Sequence, residues 1–145
     1  MITIQISIIF AQLLKSINPK SKYSYFVVHH TLHYTKLRNF SSQLLENHKT
    51  VLEELVRRDK NHPSVIIWSV ANEPLSYMEE ADPYFAGIRD KMKSLDPTRP
   101  ITAVQYDYPD QDYATDHVAR HMDIIGVNKY SAWYTDPGHT ELITR

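Results

Sequence analysis

The apolar positions become regular after Asn39, where they first predict an amphipathic helix. Between residues 44 and 56, leucine, valine and one histidine recur every three or four positions, which is the spacing of a single helix face. The predicted helix runs from about Ser42 to Arg58. It ends before Pro63, because proline lacks the amide hydrogen that a helix interior requires.

A second helix is predicted to follow Pro74. Ser76 and Glu79 have the spacing of a capping box, in which the serine is the N-cap and the glutamate is the third helical residue. The turn at residues 96–100 contains two prolines and ends this helix. Its predicted core face consists of Met78, Ala81, Phe85, Ile88, Met92 and Leu95.

Three short apolar runs predict strands, and their order with the helices predicts an α/β fold with parallel strands. Val65–Ala71 is apolar at nearly every position and rich in β-branched residues, as in a strand buried on both faces. The next two predicted strands are Ile101–Val104 and Asp123–Asn128. One helical turn is expected within His117–Met122, and a further helix is expected after Gly138.

The first 38 residues differ from the rest, and we predict an N-terminal segment, 1–38, followed by an α/β unit, 39–145. Isoleucines alternate with polar residues at positions 2–8, which is the period of a strand. A signal peptide would carry a basic residue before its apolar run, whereas the first one here, Lys15, follows it. A strand or an irregular start is therefore favoured over a signal peptide.

Composition narrows the classes of function. The chain has 145 residues, fewer than the roughly 250 of a complete (β/α)8 barrel. Its formal net charge of −1 provides no field that would attract nucleic acid or an acidic membrane. The absence of cysteine excludes disulfides and thiolate chemistry. His117 and His121 have the helical spacing of two metal ligands, but no third ligand accompanies them, and no metal site is predicted.

The candidate chemistry lies at Asn72, Glu73 and Pro74, where the first predicted strand ends. In barrels of parallel strands, catalytic groups lie at the carboxyl ends of the strands. Apolar walls beneath Glu73 would favour its protonated form, which cleavage of a glycosidic bond requires. Taken alone the triplet is a weak signal, because a glutamate at a strand end is more often a helix cap or an ion-pair partner. The flanking residues change that balance.

Residues 57–74, RRDKNHPSVIIWSVANEP, resemble family 2 of the glycoside hydrolases, and most closely its animal β-glucuronidases. The resemblance continues through KSLDPTRP at 93–100, DIIGVNKYSAWY at 123–134 and GHTELI at 138–143. It covers residues 39–145. Because this family folds as a (β/α)8 barrel, the resemblance implies that the chain holds part of a barrel, namely strands four to six with their helices.

The resemblance also implies a role for each matching residue. The family cleaves β-linked sugars with retention of configuration, and Glu73 takes the position of its acid/base. Tyr130 would lie beside the nucleophile. No cofactor is implied, and Trp68, in the middle of a strand, is expected to pack in the core. The expected substrate-binding residues are Asn72, Asn128, Trp133 and Tyr134.

The implied activity is hydrolysis of terminal β-D-glucuronosides, with a β-glucuronide or a glycosaminoglycan-type sugar as substrate. A β-galactosidase or β-mannosidase of the same family is the alternative enzyme. The alternative from another class is a non-catalytic remnant that binds sugar or pairs with an intact subunit. The animal members of the family imply a lysosomal location and a possible homo-oligomer of the full-length parent, and neither nucleic acid nor a membrane is expected as a partner.

The nucleophile of the family is a glutamate followed by Tyr-Gly, and this motif does not occur in the sequence. Retaining hydrolysis needs two carboxyl groups about 5–5.5 Å apart. The chain is therefore expected to be a fragment of such an enzyme, without normal activity of its own.

Overall fold

The computed structural model describes residues 27–28, 40–62, 65–106, 112, 115–128 and 137–139. In this part of the chain, four parallel strands form one sheet in the order β1-β2-β3-β4. A crossover joins each pair of neighbouring strands, which confirms the predicted α/β fold. The elements are β1 (Val27–Val28), α1 (Ser42–Asp59), β2 (Trp68–Asn72), α2 (Ala81–Leu95), β3 (Ile101–Tyr106), a 3-10 helix (Ala119–His121) and β4 (Ile124–Asn128).

Most elements lie where the apolar pattern predicts them. The helix α1 ends one residue after Arg58, β3 is two residues longer than expected, and the predicted helical turn is the 3-10 helix. The strand β1 falls within segment 1–38, at a position where no element was predicted, and it pairs with β2. The helix expected after Gly138 and the residues before Val27 lie outside the described residues.

The helix α1 begins after Ser41, whose hydroxyl accepts a hydrogen bond from the Leu44 amide at 3.2 Å. This cap satisfies one of the amides that the first turn leaves without a partner in the helix. Arg57 and Arg58 lie in the last turn, where positive charge complements the helix dipole. The buried residues of α1 are His48, Leu52, Leu55 and Val56.

The buried His48 side chain links α1 to β2 and α2. Its Nε2 lies 3.0 Å from the carbonyl oxygen of Val70, which can only accept, so this nitrogen carries the hydrogen. Its Nδ1 then accepts a hydrogen bond from the Tyr84 hydroxyl at 3.0 Å. Burial raises the pKa of Tyr84, and the phenol therefore remains protonated as the donor. One histidine thus connects three elements of the fold.

The helix α2 begins at Ala81, and the capping box predicted at Ser76 is wrong. The N-cap is Glu80, whose side chain makes no capping hydrogen bond. Ser76 is buried in the preceding loop, and its carbonyl oxygen accepts from the His117 amide at 3.1 Å. A contact between distant segments therefore outweighs the local capping signal. Met78 precedes the helix, while Tyr84, which the apolar pattern missed, joins its buried face.

The strand β2 begins at Trp68, three residues later than predicted, and it ends at Asn72. The apolar residues before it are not paired with a strand, and the Val65 carbonyl instead accepts from Arg99 Nε at 2.7 Å. Pairing on the β3 side begins where the Trp68 amide donates to the Pro100 carbonyl at 3.0 Å. Apolarity alone predicts burial, whereas the strand exists only where a neighbouring backbone is in reach.

The hydrophobic core lies between the sheet and the two long helices. Trp68 is completely buried in it, which confirms the core position expected from its place in the strand. Phe40 packs on the rings of Tyr84 and Phe85, with centroid distances of 5.1 and 6.2 Å. Among the described helices, none combines the length and the apolarity needed to cross a lipid bilayer. The other large buried side chains include Leu52, Ile88, Met92 and Ile101.

A buried carboxylate, Asp96, organises the end of the sheet where the strands begin. It accepts hydrogen bonds from Trp68 Nε1 at 3.0 Å and from Arg99 Nη1 at 2.6 Å. The Thr98 amide and hydroxyl donate to its other oxygen. Burial by itself would raise the pKa of Asp96, but the hydrogen bonds from Thr98, Arg99 and Trp68 outweigh it and hold the pKa well below its usual range.

Arg99 extends this Asp96 cluster to the backbone. It donates to the carbonyl oxygens of Val65 at 2.7 Å and Lys60 at 2.8 Å, and its guanidinium lies 5.6 Å from the centre of the Trp68 ring. The ion pair therefore joins the turn after α2 to the segment before β2, which has no strand pairing of its own.

Two glycines offer a matched test of packing. A Cβ on Gly126 in β4 would lie 3.2 Å from Val104 Cγ2, whereas one on Gly87 in α2 would meet only ordinary contacts, from 3.5 Å. We expect Gly126→Ala to lower the free energy of unfolding by about 1–2 kcal/mol, because the sheet must yield locally. We expect Gly87→Ala to raise it by about 0.5–1 kcal/mol, because alanine favours a helix. Urea denaturation of both variants measures the two changes, and the same sign for both would contradict this account.

Candidate active site

Three strands place polar or aromatic side chains on one face of the sheet at their carboxyl ends. Asn72 is paired with Val104, and Tyr106 with Asn128. Because residues two apart in a strand share a face, Asn72, Tyr106 and Asn128 lie on the same side. The carboxyl ends of parallel strands meet at one edge, which is where barrels carry their catalytic groups.

The Asn128 side chain joins two consecutive residues at the end of β2. Its Nδ2 donates to Glu73 Oε1 at 2.7 Å and to Asn72 Oδ1 at 3.0 Å. Asn128 is 4% exposed, while Asn72 and Glu73 are half-buried. The structure therefore brings together three of the residues predicted from the sequence, although 55 positions separate Glu73 from Asn128.

The backbone of Glu73 leaves the strand in an unusual conformation. Its φ is 50°, in the left-handed region that non-glycine residues seldom adopt. Its amide still donates to the Val104 carbonyl at 2.6 Å, so the residue remains attached to β3. A conformation of this kind costs about 1–3 kcal/mol and persists only where surrounding contacts determine it, commonly at a functional site. Here it turns the chain directly after the strand, with the carboxyl near Asn128.

The segment before β4 supports the loop that follows Glu73. The His117 amide donates to the Ser76 carbonyl at 3.1 Å, and Asp116 Oδ1 accepts from the amides of Val118 and Ala119 at 2.8 and 2.7 Å. Further along, His121 Nε2 lies 2.5 Å from Asp82 Oδ1 in the first turn of α2. The hydrogen bond from His121 lowers the pKa of Asp82. These contacts hold the loop against α2.

Of the two histidines considered as metal ligands, His121 is paired with Asp82 through its ring. His117 contacts the loop through its backbone amide. Within the described ranges, no group of three or more histidine, aspartate or glutamate side chains is placed to hold a metal ion.

Three of the predicted site residues, Tyr130, Trp133 and Tyr134, lie outside the described residues, and their roles stay predictions. Sequence reasoning missed Tyr106, which lies on the same face as Asn72 and Asn128. The signal for it was present, since Tyr106 ends the strand that follows the one carrying Asn72. The strand predicted from the apolar pattern instead ended at Val104, two residues before Tyr106.

The chemistry that this arrangement allows is proton transfer beside hydrogen-bonding amides. A half-buried carboxyl with one oxygen held by an amide can give and take a proton at a defined place. The adjacent amide of Asn72 can bind a hydroxyl group of a substrate. These are the requirements for acid/base catalysis on a polyhydroxylated molecule.

Comparison with known proteins identifies the family. A sequence model described as "Glycosyl hydrolases family 2, TIM barrel domain" matches residues 11–145. This match begins upstream of Asn39, and the boundary predicted there stays a prediction. The chain is 49% identical over 106 residues to a β-glucuronidase of Chlorocebus aethiops, an alignment that covers 73% of this chain and 16% of that relative. It thus spans about a sixth of the length of this curated relative.

Solved structures agree with the sequence comparison. A β-D-glucuronidase of Dictyoglomus thermophilum superposes with a TM-score of 0.63 and 39% identity, covering 78% of this chain and 20% of the other. A β-glucuronidase of Ruminococcus gnavus in complex with D-glucuronic acid superposes with a TM-score of 0.58 and 34% identity, covering 63% and 16%. The described sheet is therefore part of a (β/α)8 barrel, and the chain belongs to the TIM-barrel domain of family 2 of the glycosyl hydrolases.

Proposed function

We propose that this chain forms the acid/base side of a retaining glycoside hydrolase site of the β-glucuronidase type. The observation that carries the proposal is the contact of Glu73 with Asn128 at the carboxyl ends of the strands. In the first step Glu73 protonates the leaving oxygen of the glycosidic bond. In the second it takes a proton from water, which then attacks the sugar carbon.

The second carboxylate of the reaction must come from another part of the enzyme. Retention requires a nucleophile about 5–5.5 Å from the acid/base, and the sequence contains no glutamate followed by Tyr-Gly. We therefore propose that the 145-residue chain acts only together with a segment that supplies this nucleophile. Tyr130, Trp133 and Tyr134 are proposed to complete the site on the basis of the family resemblance.

The proposed substrate is a terminal β-D-glucuronoside. The support is the similarity to proteins named β-glucuronidases, one of them a Bifidobacterium dentium structure complexed with coumarin-3-O-glucuronide at 32% identity. A β-galactoside or β-mannoside is the alternative substrate within the family. These sugars differ from a glucuronide in lacking the carboxylate, so direct comparison of the three distinguishes them.

An exchanged enzyme tests this proposal. The segment of the Chlorocebus aethiops β-glucuronidase that aligns with this chain is replaced by the corresponding residues of this chain. We expect hydrolysis of an aryl β-glucuronide and little hydrolysis of the matching β-galactoside and β-mannoside. The reason is that this chain would supply a working acid/base, and the host enzyme would supply the nucleophile. Release of the chromophore measures each rate.

The 145-residue chain and its Glu73→Ala variant serve as controls, and we expect no turnover by either. A folded exchanged enzyme that hydrolyses none of the three glycosides would contradict the proposal. Turnover by the 145-residue chain that the alanine variant loses would contradict the need for another segment.

A second candidate function, pairing with an intact subunit, is favoured by the apolar surface of β4. Ile125 and Val127, which share one face of β4, are 40% and 37% exposed, and Ile124 on the other face is 37% exposed. Exposed apolar side chains on one strand are typical of a surface that another polypeptide covers. Size-exclusion chromatography of the chain mixed with a full-length relative would detect this pairing, and separate elution of the two proteins would argue against it.

A further inference from the structure

We propose that Asn128 is a positioning residue that sets the direction of the hydrogen bonds in the site. It donates both of its amide protons, one to Glu73 and one to Asn72, and thereby leaves the Asn72 amide nitrogen as the donor available to a ligand. The inference rests on the proposed function of Glu73, but its test needs neither a sugar nor turnover.

The direction of these bonds follows from the chemistry of the amide. The amide nitrogen of Asn128 lies 2.7 Å from Glu73 Oε1, and an amide NH2 group can only donate, so the carboxyl oxygen accepts. The same nitrogen lies 3.0 Å from the side chain of Asn72. Both protons of Nδ2 are then used, and Asn72 must present its oxygen to Asn128.

The orientation of the Asn128 amide also fixes the orientation of the Asn72 amide. Because the Asn72 oxygen accepts from Asn128, its own NH2 group points the other way, and it makes no hydrogen bond to the described residues. Asn72 is half-buried, so a ligand can still approach that group. The Asn72 side chain could otherwise present its carbonyl oxygen or its NH2 group to a ligand. The contact with Asn128 leaves the NH2 group, which can donate a hydrogen bond to an oxygen atom of a sugar.

Burial makes the arrangement selective for asparagine at position 128. The side chain is 4% exposed, and its Oδ1 has no hydrogen-bond partner in the described part of the chain. An aspartate would place a second negative charge beside Glu73 and would offer no amide proton. A leucine of similar size would leave the Glu73 oxygen without this donor.

The backbone near Asn128 allows it to reach across β3. Asn128 is on β4 and its partners are at the end of β2, with β3 between them in the sheet. Two residues earlier, Gly126 lies against Val104 of β3, where a Cβ would approach to 3.2 Å. The absence of a side chain at Gly126 therefore leaves room for the Val104 side chain on the face that carries Asn72 and Asn128.

Exchange of side-chain amide protons in the ¹⁵N-labelled 145-residue chain tests the proposal. The signals of Asn128 and Asn72 are assigned from their absence in Asn128→Asp and Asn72→Asp, and the exposed Asn61 is the internal reference. We expect the Asn128 protons to exchange at least about 10-fold more slowly than those of Asn61, because their hydrogen bonds to Glu73 and Asn72 protect them. We expect the Asn72 protons to exchange at a rate close to that of Asn61.

Two variants at position 73 separate a positioning role from a structural one. Glu73→Gln retains a carbonyl oxygen that accepts from Asn128, so the Asn128 protons should stay protected from exchange. In Glu73→Ala, the Asn128 proton that is donated to Glu73 should no longer be protected. Glu79→Gln, a change at an exposed carboxyl in the following loop, should leave the Asn128 signals unchanged. The backbone amide spectrum of each variant verifies that it is folded.

Three results would overturn the inference. The first is exchange of the Asn128 protons as fast as that of Asn61, and the second is unchanged exchange in a folded Glu73→Ala variant. The third is strong protection of the Asn72 protons, which would mean that Asn72 is the donor to Asn128. The exchange measurement needs no sugar, so it is independent of the activity assay. If the Asn128 protons are protected but the exchanged enzyme is inactive, the positioning role of Asn128 is supported and only the proposed function is contradicted.

Discussion

Replacing Glu73 with glutamine in the exchanged enzyme is expected to lower kcat for a β-glucuronide with a poor leaving group by about 10²–10⁴-fold. Glutamine has the same shape, and its carbonyl oxygen can still accept from Asn128, so the geometry of the site should remain. The side chain cannot lend a proton to the leaving oxygen. The loss therefore isolates proton transfer from positioning, and steady-state rates for a series of aryl glucuronides measure it.

The dependence on the leaving group is the signature of an acid. An aryl group that leaves readily needs little protonation. The rate of the first step should therefore fall much less in Glu73→Gln for such a substrate than for one with a poor leaving group. The second step still lacks its base, and the covalent sugar intermediate should accumulate. Added azide, which attacks without deprotonation, should then restore turnover.

Glu79→Gln is the matched control for Glu73→Gln. It makes the same chemical change at an exposed position six residues away, and the rates should stay within about twofold of the unaltered protein, as for most surface substitutions. Equal loss for good and poor leaving groups in Glu73→Gln would argue against an acid role for Glu73, even if the variant were nearly inactive.

Replacing Asp96 with asparagine is expected to lower the free energy of unfolding of the 145-residue chain by about 3–5 kcal/mol. The Asp96 side chain is 6% exposed and is bound by Trp68, Thr98 and Arg99. Asparagine removes the negative charge and turns one acceptor into a donor, which leaves the half-buried guanidinium of Arg99 without its counter-ion. Urea denaturation at neutral pH measures the change.

The same carboxyl makes stability depend on pH. Because the pKa of Asp96 is lower in the folded protein than in the unfolded chain, its stabilising effect is fully present above the unfolded value of about 3.9. The effect is lost as the pH falls through the folded pKa. The difference in stability between the native chain and Asp96→Asn should therefore be constant above about pH 5 and shrink below about pH 4.

Asp90→Asn is the control for this prediction. The Asp90 side chain is 69% exposed and pairs with its neighbour Arg89 on the surface, so its replacement should change stability by less than about 1 kcal/mol. Two outcomes would show that the Asp96 cluster does not stabilise the fold as described. One is a loss of unfolding free energy in Asp96→Asn no larger than that of this control, and the other is a loss that grows towards acid pH.

The sequence alone determined the features that depend on neighbouring positions. The spacing of apolar residues identified α1 from Ser42, because a helix face is a property of residues three and four apart. Alternating helices and short apolar runs were sufficient for the parallel α/β sheet. Asn72 and Glu73 could be recognised as a pair because they are adjacent and because their flanking residues resemble a family.

The tertiary structure decided the features that depend on contacts between distant segments. Ser76 lost its predicted role as a cap because it is buried in a loop that meets His117, and β2 began at Trp68 because pairing with β3 starts there. The contact of Asn128 with Glu73 crosses β3, and no local pattern encodes it. Spacing along a chain sets which face a residue occupies, but the curvature and register of the sheet set which partner it meets.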